Sequence, residues 1–366
     1  MSQDVMPAAG GGTASWLGGQ AGAGGMAASG ATGGGAGGSP PSLAEGGAPD
    51  AGAAGQSTPT DGGQTGATRW MPDAPRVLTT QATEASWYGK DPTQGLTVTP
   101  NGHVLLETAY KIYEIAGNKV SDYLTDVETL AAIGNHDGYG FGGLGLDQQG
   151  TVYATFSGSV IRSNGPHQLE LWRAEPGSMS APALGLSVLG HDDVIAFGTE
   201  GMWRITGETA PTPLMSFTAI GDTCPYPKIS LAASGTFLLL RGCAMNGVES
   251  GLFDGSVVSN IRTLFKGTFP PSGTSSPAQF LCATTAPQGG FYLVVKQNAD
   301  TQLYYLADDA TESAGVSKVA ISPSLDEASV LTGDHQSMRK CNITAALDGG
   351  LYLQSSEVLW RLEVKP

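Results

Sequence analysis

Apolar and polar positions along this chain alternate in short runs broken by Gly, Asn or Asp, and two elements recur six times. The first is an apolar run, a tight turn and a second apolar run. It occupies Leu96–Leu106, Leu144–Ala154, Leu186–Ala196, Ile229–Leu239, Leu281–Val294 and Ile343–Leu353. Turn residues that accept positive φ, flanked by β-branched and aromatic runs, predict hairpins. The second element is an aliphatic residue, an aromatic, usually a polar residue and usually another aliphatic. Its copies are Ile112–Ile115, Leu171–Ala174, Met202–Ile205, Leu252–Gly255, Leu303–Leu306 and Leu359–Leu362, with aromatics 59, 31, 50, 51 and 56 residues apart. A period near 50 predicts a repeat architecture. Weaker apolar segments follow most copies, at Val120–Leu124, Pro213–Phe217, Val257–Ile261 and Val316–Ile321. Each unit therefore reads as four antiparallel strands, with the aromatic tetrad on the third.

Four-stranded units at this period describe propeller blades. The last unit stops at Pro366, just after its third strand, while Arg76–Thr80 precedes the first unit with no unit of its own. That segment is expected to supply the missing outer strand and close the ring, which removes exposed sheet edges. The expected fold is all-β: a closed six-bladed β-propeller over 69–366, preceded by a disordered Gly/Ala/Ser-rich tail at 1–68. One stretch reads two ways. Ser121–Ile133 carries Leu124, Val127, Leu130 and Ala131 at helical spacing with Ser121 as a cap, and it reads equally as an outer strand followed by a loop. The tetrad aromatics are read as packing between neighbouring sheets, because one strand position repeated six times belongs to a core.

Composition sets the tail apart. Residues 1–68 hold 21 Gly, 15 Ala, four acidic residues and no Lys or Arg, too little apolar surface to offset the entropy of ordering. The net charge of −15 argues against a nucleic-acid binder, which needs clustered Lys and Arg. No apolar run is long enough to span a membrane, and the acidic start lacks the apolar core of a signal peptide. Four cysteines, Cys224, Cys243, Cys282 and Cys341, fit no zinc-site spacing. Buried free thiols in a cytosolic protein are one reading. The other is two disulfides, Cys224–Cys243 and Cys282–Cys341, in an exported protein. The predicted hairpins favour the second: they bring Cys224 close to Cys243 in one unit, and place Cys282 and Cys341 at the channel-mouth ends of adjacent inner strands.

In a propeller the second-to-third-strand loops and the crossovers between blades share one face, and binding residues concentrate on such loops. The distance from hairpin turn to tetrad predicts enlarged loops at Ser157–Gln168, Gly242–Glu249 and Lys296–Asp300. Candidate ligand-binding residues on that face are Asp91, His136, Asp137, Tyr139, Arg162, His167, Asp222, Tyr226, Asp334, His335 and Arg339. His–Asp pairs such as His136-Asp137 and Asp334-His335 are metal-ligand types, although polar loops facing solvent are ordinary. His191-Asp192-Asp193 has the same look but falls on a first-to-second-strand turn. Gly138–Gly143 satisfies G-x-G-x-x-G without a following helix to receive a phosphate. The sequon Asn342-Ile343-Thr344 falls on an inner strand and reads as structure.

The segment Gly143-Leu144-Gly145-Leu146-Asp147-Gln148-Gln149-Gly150-Thr151-Val152-Tyr153-Ala154 resembles the repeat of NHL-type and SMP-30/gluconolactonase-like propellers, G-[IL]-A-x-D-x-x-G-x-[IV]-Y-[VA]. The resemblance extends over Val77–Pro366 at the level of blades and is close only in the second unit. It implies the six-bladed fold. In the calcium-dependent lactonases of this kind, acidic and Asn ligands converge on the central channel; no residue here is matched to them one by one. A Gly/Ala-rich spacer before a propeller is also similar to bacterial exported lipoproteins. The expected function is a non-enzymatic binding propeller, exported to the periplasm, cell surface or medium. It is expected to be monomeric, to need no cofactor, and to hold a protein or carbohydrate on its channel-mouth loops. The alternative is a metal-dependent hydrolase of the lactonase type, with calcium or zinc in the channel.

Overall fold

The computed structural model describes residues 71–83, 93–133, 141–156, 159–173, 185–198, 201–207, 209–216, 228–232, 234–241, 247–266, 269, 278–297, 300–311, 314–326, 341–355 and 358–365. The Gly/Ala-rich segment 1–68 lies outside them. The described residues form six antiparallel blades. Blade 1 is Thr93–Val98, Val104–Thr108, Lys111–Ala116 and Lys119–Thr125; blade 2 is Phe141–Leu146, Val152–Phe156, Ser159–Ser163 and Leu169–Arg173. Blade 3 is Gly185–Gly190, Asp193–Phe197, Gly201–Thr206 and Thr212–Ser216; blade 4 is Lys228–Leu231, Thr236–Arg241, Gly247–Phe253 and Val258–Lys266. Blade 5 is Ala278–Thr285, Phe291–Gln297, Asp300–Leu306 and Val316–Val319; blade 6 is Asn342–Ala345, Leu351–Ser355 and Val358–Val364.

The outer strand of blade 6 comes from the other end of the domain. Arg76–Thr83 pairs antiparallel with Val358–Val364, and Ile321–Ser322 pairs parallel with its start. Arg76 fastens this junction. Its buried guanidinium donates to the Gly349 carbonyl at 2.9 Å and to the Tyr292 hydroxyl at 2.8 Å. One side chain thus ties the closing strand to blades 5 and 6.

The first strand of every blade touches the first strands of both neighbours, all the way round, so these six strands line the axis. Hydrophobic cores lie between successive blades. Tyr113, Trp203, Phe253 and Tyr304 are buried in them, with Trp172 and Trp360 packed at their margins. The repeated aromatics are inter-blade packing. The Asp-x-x-Gly turn of blade 2 has a local cause: the Asp147 carboxylate accepts the amides of Gln149 and Thr151 at 2.8 and 2.9 Å, and Gly150 takes φ 86°.

Three sequence expectations are corrected. In blade 2 the described part of the tetrad, Leu171–Arg173, belongs to the fourth strand, because Ser159–Ser163 is the third; this accounts for the uneven 59 and 31 spacing. The enlarged loop expected at Ser157–Gln168 contains the third strand of blade 2, Ser159–Ser163, and in Lys296–Asp300 the described residues Lys296, Gln297 and Asp300 are ladder, with Gln297 pairing directly with Asp300. Of Gly242–Glu249, Gly247–Glu249 is strand and the rest lies outside the described residues. Both readings of Ser121–Ile133 hold in part: the strand runs to Thr125 and a helix follows at Asp126–Ile133. Its cap is Thr125 rather than Ser121. Thr125 Oγ1 accepts the Glu128 amide and Glu128 accepts the Thr125 amide, a reciprocal capping box.

Candidate functional site in the axial channel

Superposing the hairpins of the six blades on their turns defines two rings of equivalent positions. The last ladder pairs before the turns begin at Val98, Leu146, Val188, Leu231, Thr285 and Ala345 or, in blade 3, are followed only by a bulge. Three residues earlier, at the end of the channel where crossovers enter, stand Gly95, Gly143, Gly185, Lys228, Cys282 and Asn342. Their ladder partners are Glu107, Thr155, Phe197, Leu240, Val294 and Gln354. Blades 1–3 present glycine at this level, and blades 4–6 present a lysine, a half-cystine and an asparagine.

These six residues border a cavity on the axis of about 300 Å³, which continues down the strands past Thr97, Val188 and Thr285. The glycines are a packing requirement. A Cβ on Gly143 would stand 2.3 Å from the Gly185 Cα, and one on Gly185 would stand 2.3 Å from the Phe197 ring. On the other side, Cys282 and Cys341 form a disulfide with Cα atoms 5.6 Å apart, joining the inner strands of blades 5 and 6. This is the second of the two pairs expected; Cys224 and Cys243 lie outside the described residues.

Lys228 spans the mouth. From blade 4 it passes blade 5 and donates to the Asn342 side-chain oxygen at 3.2 Å and to the Cys341 carbonyl. Asn342 is held in register because its amide donates to the buried Gln354 at 3.0 Å. Lys228 keeps some accessible surface in the cavity, but protein packs closely round the ammonium, and desolvation lowers its pKa to about 7. Both its bonded acceptors are neutral. Across the channel, behind Gly95, lies Glu107. A Cβ on Gly95 would stand 2.6 Å from its Oε2, so glycine there makes room for the carboxyl. Both carboxyl oxygens are buried and lack a hydrogen-bond partner. Burial holds this pKa well above the ordinary carboxylate value; the Gly143 amide points toward the carboxyl, short of full hydrogen-bond geometry, and offsets only part of the rise.

Of the candidates named from sequence, Asp91, His136, Asp137, Tyr139, Asp222, Tyr226, Asp334, His335 and Arg339 lie outside the described residues. Arg162 and His167 are described, and neither borders the cavity. Arg162 is on the third strand of blade 2, paired with Glu170 at 2.8 Å and with Asp192 at 2.6 Å. His167 contacts Glu128 of the rim helix at 2.7 Å. The metal-like triplet is also engaged by neighbours: His191 with Asp147, Asp192 with Arg162 and Asp193 with Arg204. Lys228 and Glu107 escaped notice because neither belongs to a local motif, and Asn342 drew attention only as the first residue of a sequon. Aligning the six hairpins on their turns would have put Lys228 and Asn342 in one column with three glycines.

The fold is the six-bladed propeller of SMP-30/gluconolactonase-like proteins. A gluconolactonase from Xanthomonas campestris superposes with TM-score 0.53 at 10% identity, over 79% of this chain and 89% of that one. A luciferin-regenerating enzyme superposes with TM-score 0.53 at 11% identity, over 78% and 95%. At such identity the likeness is one of fold. No protein-family model matches the sequence, and no curated protein is similar to it. The lactonase resemblance implies a metal held by acidic and Asn ligands at the axis. Among the described residues, no three His, Cys, Asp or Glu side chains stand close enough to hold an ion, and a lysine reaches across the mouth. The described donors do not fit a metal centre.

Proposed function

We propose that the protein is a hydrolase of the lactonase type acting on a small polar molecule in the axial cavity. The supporting observation is the cavity itself: about 300 Å³, within the range of small-molecule sites, with Lys228 and Asn342 at its mouth. In this reading water adds to the ester carbonyl and the ring C–O bond breaks. The Lys228 ammonium donates to the carbonyl oxygen as negative charge develops there, and Asn342 positions it. A cavity of this size on the axis suits a small molecule better than a protein or glycan surface, and it favours the enzymatic reading over the binding one. Export fits the Cys282–Cys341 disulfide, since such bonds persist in oxidising compartments. Among the described residues no helix is long and apolar enough to cross a membrane.

The test is a pH-stat assay of five- and six-membered sugar lactones at pH 7. The expected outcome is turnover above the spontaneous rate, reduced at least about 100-fold in Lys228→Met. Rates equal to buffer for the wild-type protein across the set would sink the proposal.

A further inference from the structure

Several cations on the blade surfaces have carboxylate partners: Lys111 with Asp122, Arg162 with Glu170 and Asp192, Arg204 with Asp193, and Arg361 with Asp348 and Glu363. Two deeper cations do not. Arg76 has its donors spread over carbonyls and a tyrosine hydroxyl, at a packed strand junction. Lys228 is different because it borders a cavity. Its partners are a carbonyl and an amide oxygen, and among the described residues no carboxylate pairs with it. In a chain with 33 acidic and 18 basic residues, a cation bordering the channel without an acidic neighbour among the described residues is a selective arrangement. An ammonium in such a place is stabilised most by an anion arriving from outside, in a setting where water screens the pair poorly.

We propose that the cavity takes a small carboxylate-bearing molecule, with its carboxylate paired to the Lys228 ammonium and Asn342 alongside. This rests on the reading of the channel as the ligand site, and it names the class of ligand. The ladder supports it. The Asn342–Gln354 bond turns the Asn342 oxygen toward Lys228, which holds the ammonium over the axis without neutralising it. Binding carries a proton with it. The free lysine is about half charged near pH 7, and a bound carboxylate raises its pKa. Among the described residues at this level, the other ionisable group is Glu107, behind Gly95, whose pKa burial raises well above the ordinary carboxylate value. Cys282 and Cys341 are bonded to each other and do not titrate.

The experiment is titration calorimetry with the full chain. The ligands are C5 and C6 hydroxy-monocarboxylates, their methyl esters and inorganic phosphate, each in two buffers of different ionisation enthalpy. The carboxylates should bind and the esters should bind at least about tenfold more weakly. Nearly one proton should be taken up at pH 8 and almost none at pH 6, with affinity falling about tenfold per pH unit above 7. Lys228→Met should weaken binding at pH 6 by at least about tenfold. Lys228→Arg, permanently charged, should bind with no proton uptake. Thermal melts of both variants control for folding.

Esters binding as tightly as acids, binding without proton uptake at pH 8, or phosphate binding with carboxylates excluded would overturn the proposal. So would carboxylate binding undiminished in a folded Lys228→Met, or no binding by the wild-type protein. Lactone turnover on the same samples separates the two readings. Turnover without carboxylate binding removes this inference alone, and carboxylate binding without turnover removes the hydrolase alone.

Discussion

The two halves of the channel mouth occupy equivalent positions and solve different problems. In blades 1–3 the position is glycine because a Cβ there would meet the Glu107 carboxyl and Leu144, the Gly185 backbone, or the Phe197 ring. In blades 4–6 the same position carries Lys228, Cys282 and Asn342, and the strands are held by a covalent bridge and a polar relay. A repeat architecture makes this division available. Six copies of one backbone share the work of closing the ring, so some copies can give up side chains for packing while others carry chemistry.

The comparison breaks most readily at the bridge. Removing it with the double variant Cys282→Ala/Cys341→Ala should cost about 4 kcal/mol if loop closure over the separation of 59 residues is the main effect. Denaturant titration of reduced and oxidised protein checks this, and an unchanged midpoint would refute the idea that the lysine-bearing half depends on the crosslink. Next is the glycine half. Gly143→Ala should cost about 3 kcal/mol, because the atoms 2.3 and 2.7 Å from the new Cβ are backbone and cannot swing aside. A melt equal to wild type would show that the inner strands of blades 2 and 3 can separate freely.

The smallest expected effect is in pH dependence, and it has opposite sign in the two halves. Burial raises the Glu107 pKa, so the native state keeps this proton to higher pH than the unfolded chain. Stability from this group is then present below the ordinary carboxylate pKa and lost as pH rises through the folded value. Lys228 is lowered to about 7, so the unfolded chain binds the extra proton between about 7 and 10.5, and stability from this group increases with pH across that window. Glu107→Gln should raise stability at pH 8 by about 1 kcal/mol and change little at pH 4. Lys228→Met should flatten the rise above pH 7. Parallel pH–stability curves for wild type and Glu107→Gln would rule out a buried, unpaired carboxyl.

Much of the fold was readable because a propeller is built from local hairpins. The turn glycines and apolar runs placed the inner and second strands of every blade, and the aromatics marked a core position. Blade 2 shows the limit. Leu171-Trp172-Arg173 matches the tetrad pattern but is an outer strand, since Trp172 packs against the blade 2–3 core from one strand further out. Local pattern does not distinguish two antiparallel strands that bury the same kind of residue. The site was less readable still. Arg162 and His167 drew attention as polar loop residues, yet each is engaged by carboxylates away from the cavity.

By itself, the order of residues determined the number of blades, their four-stranded form and a closed ring, and it favoured a pairing of Cys282 with Cys341 over free thiols. Hairpins and their apolar faces are short-range, so spacing alone records them. Only the tertiary structure decided that Lys228 from blade 4 meets Asn342 from blade 6, and that Glu107 lies hidden behind Gly95. Those contacts join residues more than 100 positions apart in one case and depend on how neighbouring blades pack in the other. The pKa shifts of both groups, upward for Glu107 and downward for Lys228, follow from the burial that ring closure creates.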